Sequence, residues 1–184
     1  MRSMILAIVL IVTFAGTANA AAVGVHTHRH TLPPGATIGG HAAVLAVNLR
    51  GRPYVWGGTG PDGFDCSGFT RFVYAELGIH LPHSSYAQWN RGRRVPRSQL
   101  RPGDLVFFDG LGHVGIYLGH NLFIHAPHTG TRVSIASLRH GWYAATYDGA
   151  VRIGGSQHRF RRPGHHRRWT GPDRHFALLL RELA

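Results

Sequence analysis

The stretch Gly63–Tyr74, GFDCSGFTRFVY, decides how the rest of the chain is read. From Asp65 to Leu77 the apolar residues Phe69, Phe72, Val73 and Leu77 recur at helical spacing, and Gly78 stops the run. Asp65 stands where an N-cap belongs, which puts Cys66 in the first turn of that helix. Just upstream, YVWGGTGPDGF concentrates glycine and a proline into a tight, irregular loop. Ala-rich residues 36–49 predict an earlier helix, and Ser84–Trp89 a second short one after the cysteine. Beyond Asp104 the pattern changes to short segments rich in β-branched and aromatic residues: LVFF, HVGIYLG, NLFIHA, TRVSIA and YDGAVRI, separated by turn residues as in an antiparallel meander. Helices first and strands second predict an α+β domain over residues 36–153.

Cys66 is the single cysteine of the chain, so it has no partner for an internal disulfide. Residues 1–20 carry one Arg, an apolar run from Met4 to Phe14 and then Ala18-Asn19-Ala20, which reads as a secretory signal peptide. The apolar run is well short of the ~20 residues that span a bilayer, so no stable membrane insertion is expected after cleavage. An exported protein with one cysteine has either a thiol paired between chains or a reactive one; the remaining alternative is a small buried thiol. The net charge is +12, and every one of the 20 basic residues is Arg. Such a surface favours polyanions, and with an export signal these are anionic wall polymers or a membrane surface. No base-reading motif supports a nucleic-acid partner.

Residues 21–35 are His-rich, end in Pro-Pro-Gly and read as a linker. Residues 154–184 form a basic Arg/His-rich tail whose composition predicts disorder, and which could tether the protein to anionic wall polymer. The histidines at 26, 28 and 30 and the pair at 165 and 166 lack acidic or thiol ligands beside them, so no metal site and no cofactor is expected.

A thiol becomes a nucleophile when a helix N-terminus, a histidine and a polar group that orients the histidine act on it. In HVGIYLG, Val114, Ile116 and Leu118 fall on one face and His113, Gly115 and Tyr117 on the other. The apolar face is expected in the core, leaving His113 on an accessible face at the strand start. The next strand, NLFIHAP, offers His125.

Taken in order, YVWGG, DCSGF at a helix start, LPHSSYAQ, RPGDLVFF, HVGIYLG and FIHAP resemble the NlpC/P60 cysteine peptidases, over roughly residues 36–153. The resemblance implies a papain-like α+β fold with the nucleophile helix packed on a small antiparallel sheet. It implies a secreted peptidoglycan hydrolase, periplasmic or in the cell wall, that cuts stem peptides between γ-linked D-glutamate and a diamino acid. Cys66 is then the nucleophile, His113 the base and His125 the group that orients it. Tyr54 would lie near the oxyanion site, or be a core aromatic with a satisfied hydroxyl. Asp65 and Ser67 would contact substrate, cap the helix, or both. Ser85 belongs to His83-Ser84-Ser85, where many members have Arg followed by a small polar residue; His83 departs from that pattern. Asp104 reads as a turn or strand-start residue. Alternatives are a papain-like N-acetylmuramoyl-L-alanine amidase and a non-catalytic wall-binding module.

Overall fold

A computed structural model describes residues 37–154. Residues 1–36 and 155–184, on which the signal-peptide, linker and most of the basic-tail readings fall, lie outside the described residues, as do the histidine clusters at 26–30 and 165–166. Helix α1 (Ile38–Asn48) opens the domain, capped by the Thr37 side chain on the Gly40 N–H. The glycine-rich loop contains a small hairpin, β1 (Thr59–Gly60) with β2 (Gly63–Phe64), and leads directly into α2 (Cys66–Ala75). Helix α3 (Ser85–Trp89), strand β3 (Arg93–Val95) and a 3-10 turn over Arg97–Gln99 follow. The second half holds β4 (Leu105–Phe108), β5 (His113–Gly119), β6 (Leu122–His125), β7 (Ser134–Ser137), the short helix α4 (Trp142–Ala145) and β8 (Tyr147–Arg152).

Strands β4 to β7 form the expected meander, but β8 does not extend it. The six-stranded sheet has the order β3-β8-β4-β5-β6-β7: the last strand returns to pair with β4, and β3 joins at its outer edge. Strand β3, the β1–β2 hairpin and α4 have too few residues for a periodic signal.

The sheet is buried on both faces, which corrects the expectation of one open face. Leu105, Phe107, Val114, Ile116, Leu118 and Ile124 pack under α1 and α2 with Ala43, Phe69 and Val73. On the other side Val106, Phe108, Tyr117, Phe123 and Ala150 form a second apolar cluster, covered by Tyr143 and Tyr147. Alternate residues of β4 enter opposite cores, which is why LVFF is an unbroken apolar run. His113 is on the second face, as its place in the alternation requires, yet it is only 9% exposed. Access to it comes from the strand end, not from an open sheet face.

Asp104 is a strand-start residue with a structural partner set. Its carboxylate takes Arg152 through two contacts of 2.7 Å and accepts the Arg101 N–H at 2.7 Å. It therefore joins the start of β4 to the end of β8.

Candidate active site

Asp65 fixes the start of α2. Its backbone is extended (φ −88°, ψ 177°), and Oδ1 accepts the Gly68 N–H at 2.6 Å and the Ser67 hydroxyl at 3.2 Å. Gly68 has to be glycine, because a Cβ there would sit 1.9 Å from the Gly58 carbonyl oxygen. The helix start is thereby pressed against the second glycine of YVWGG, and Tyr54 of the same loop pairs with Phe64. The second oxygen of Asp65, Oδ2, lies 2.7 Å from His83 Nε2. The departure at position 83 thus keeps a basic side chain on the Asp65 carboxylate.

Cys66 projects from the first turn towards the start of β5. Burial pushes its thiol pKa up and the Asp65 carboxylate adds to that, while the backbone N–H groups of Val114, Ser67 and Cys66 itself work in the opposite direction. Burial also raises the Tyr54 hydroxyl, with smaller contributions from Cys66 and Asp65, which places Tyr54 within electrostatic reach of both.

The Val114 N–H belongs to the residue after His113, so the sulfur lies beside the strand that carries this histidine. His113 Nε2 is 2.7 Å from His125 Nδ1, with the rings 5.0 Å apart and nearly perpendicular. The sheet produces that contact. Strands β5 and β6 pair Ile116 with Ile124 and Tyr117 with Phe123, a register that puts His125 across from Gly115. Gly115 has no side chain, so the His125 ring can lean along the strand to His113. Burial pulls His113 down to about 4, with the charge of His128 adding to the effect. Burial pulls His125 down to about 3, with His113 and then His128 contributing. Both rings are neutral at neutral pH.

Cys66, His113, Tyr54, Asp65, Ser67 and Ser85 all line one cavity of about 930 Å³; His125 is behind His113 and 1% exposed. Neutral thiol, neutral imidazole, N–H donors at the sulfur and a second imidazole behind the first form an arrangement able to transfer acyl groups.

The sequence pattern of the NlpC/P60 family matches residues 51–152, more than half of the chain. This chain belongs to the NlpC/P60 family. Its α+β, papain-like architecture is shared with solved members: the NlpC/P60 domain of peptidoglycan hydrolase SagA is 40% identical, with a TM-score of 0.57 over 62% of this chain and 98% of that one. Among curated proteins, "Probable endopeptidase p60" of Listeria innocua is 52% identical over 85 residues, 45% of this chain and 18% of the relative. "Peptidoglycan endopeptidase RipA" of Mycobacterium tuberculosis is 43% identical over 104 residues, 48% of this chain and 22% of the relative. The chain therefore matches only about a fifth of the length of these two proteins.

Several side chains of this NlpC/P60 site were missed by the sequence reading. Gln88, fully buried, accepts from Thr70 Oγ1 at 2.7 Å and donates to Ser67 O at 2.9 Å and Pro82 O at 2.8 Å. It ties α3, which carries Ser85, to the helix that carries Cys66. Tyr143 stands edge-on to His125 at 5.0 Å and screens the histidine pair from solvent. Trp56, 84% exposed, Tyr86 and Trp142 stand at the cavity rim. The only sequence signal for Gln88 was its place in LPHSSYAQ; the aromatic pair after Gly141 had none beyond its composition.

Proposed function

We propose that the protein is an exported peptidoglycan endopeptidase that uses Cys66 as nucleophile and cuts stem peptides between D-glutamate and the diamino acid. The observation that carries the reading is the convergence of the Cys66 thiol with the hydrogen-bonded His113–His125 pair at one cavity. The names of the relatives support the substrate class, and the leader-like residues 1–20 support export with a mature chain beginning near Ala21. The exposed Trp56, Tyr86 and Trp142 give the rim apolar surface for the aliphatic parts of a muropeptide.

In this mechanism His113 accepts the thiol proton on Nδ1. Nε2 must then carry a hydrogen and donate it to His125 Nδ1, so His125 selects the productive tautomer. Because both rings are neutral at rest, the thiolate forms only as the sulfur attacks the carbonyl carbon. The oxyanion is stabilised by N–H groups at the start of α2 and by Tyr54; one such donor is typically worth ~3 kcal/mol. The tetrahedral species collapses as the C–N bond breaks, and protonated His113 gives its proton to the leaving amine. Water then attacks the thioester, His113 removes the water proton, and the carboxylic product leaves with Cys66 restored. His125 carries no negative charge, so it stabilises the imidazolium less than a carboxylate would. Asp65, Ser67 and Ser85 line the cavity wall, where they are placed to contact the stem peptide.

Digestion of purified peptidoglycan, followed by mass spectrometry against a Cys66→Ala control, tests the reading. New termini at the D-glutamyl–diamino-acid bond that depend on Cys66 support it. Release of whole stem peptides assigns an amidase instead, and the absence of any Cys66-dependent product assigns a wall-binding module.

A further inference from the structure

A second recess, of about 500 Å³, lies away from Cys66, between the segment after α2, the turn before β3 and the end of β8. Its polar lining is His80, Asn90, Arg91, Arg93 and Arg152, with no acidic side chain. Arg91 and Arg93 are exposed, and among the described residues neither has a carboxylate partner. Arg93 sits directly across the β3–β8 ladder from Arg152. Like charges in that position repel, and Asp104 neutralises Arg152 alone. Arg91 lies in the turn just before β3 and Arg93 at its first position, and both line the recess with Gly92 between them. That glycine allows the close approach: a Cβ on it would be 2.5 Å from Arg152 O.

Two exposed guanidinium groups without a carboxylate partner, beside the Asp104-paired Arg152 in a concave, acid-free lining, suit a phosphate oxyanion. We propose that this recess is a binding site for a linear phosphodiester polymer, which would hold the protein on an anionic matrix independently of the cavity at Cys66. A flat bilayer cannot enter a recess, whereas a flexible polyol phosphate chain can lie along it. Beyond Gly154, at the edge of the recess, the sequence adds seven more arginines against two acids, which raises the local concentration of such a polymer without defining the site.

The test is fluorescence anisotropy with a labelled poly(glycerol phosphate) of defined length, titrated with the whole chain, with Arg91→Gln/Arg93→Gln, and with Arg71→Gln/Arg139→Gln. The last pair removes the same charge from exposed positions elsewhere. The recess variant is expected to lose about tenfold in affinity and to flatten the log–log salt dependence by roughly two, against less than about threefold for the control. Arg91→Gln alone lies outside β3, so it leaves the ladder intact and carries the same expectation at roughly threefold. Equal losses in the recess and control variants would overturn the proposal. So would tighter binding to phosphatidylglycerol vesicles that is lost in step with the recess variant, since that assigns the site to a lipid headgroup.

Discussion

Gly115→Ala is the sharpest test of how the sheet builds the histidine pair. A Cβ at this position would lie 2.7 Å from a Phe123 ring carbon, 2.9 Å from the Ile124 carbonyl oxygen and 3.1 Å from His125 Cβ. Phe123 is held in the second core and Ile124 O belongs to the neighbouring strand, so neither yields easily. Overpacking of this kind costs about 1–3 kcal/mol, which for a domain of this size lowers Tm by roughly 4–10 °C. The element left to move is His125, whose 2.7 Å contact with His113 has little slack. A displacement approaching 1 Å is expected to reduce kcat about 100-fold. KM should stay within about threefold, because the groove side chains are untouched and uniform binding is retained. The assay is hydrolysis of a purified muropeptide, with calorimetry on the same samples. Gly60→Ala, where an added Cβ meets nothing within 4 Å, is the control. A folded Gly115→Ala protein with wild-type kcat would refute the argument that the bare position across from His125 sets the pair.

Burial holds His113 down to about 4, so kcat/KM should fall on the acid side only as the pH drops through about 4, where a protonated ring can no longer take the thiol proton. The same groups set acid stability: both rings stay neutral in the fold while the unfolded chain takes up protons near 6.5, so their contribution is full above 6.5 and is lost as the pH falls towards 4. Denaturant midpoints measured between those limits should fall with pH, and His113→Gln should flatten the slope. Asp104→Ala leaves Arg152 half-buried without a carboxylate, with only the Gln99 carbonyl as partner, and should cost about 3 kcal/mol in urea denaturation while sparing activity per folded molecule. His83→Ala frees Asp65 Oδ2 at the cavity wall and is expected to raise KM about three- to tenfold with kcat nearly unchanged, read from steady-state kinetics.

The structure has a helix at each of the three places the sequence predicted, because their causes are local. An N-cap binds an amide three residues away, as Asp65 does with Gly68 and Ser84 with Ala87. The boundaries moved by one or two residues: α1 covers Ile38–Asn48 rather than 36–49, α3 starts at Ser85 rather than Ser84, and α2 ends at Ala75 rather than at Leu77, since Leu77 and Gly78 already belong to the turn that closes it. The positions of Cys66, His113 and His125 at a helix start, a strand start and a strand end were legible too, because each is a local pattern.

What the sequence alone determined was three of the helices, the strands from β4 onward, the family resemblance and the place of a lone cysteine at a helix start. Only the tertiary structure decided that β8 returns to β4, that both sheet faces are covered, and that His125 reaches His113 past a bare Gly115. It also decided that His83 grips Asp65, that Gln88 fastens α3 to α2, and that Arg91 and Arg93 share a recess with Arg152. Each of these joins residues 12 to 61 positions apart, counting Arg91 to Arg152 as the longest. Hydrophobic periodicity records which side of an element is buried, but not which distant element buries it. That choice is made by packing and strand register, and these exist only once the chain has closed on itself.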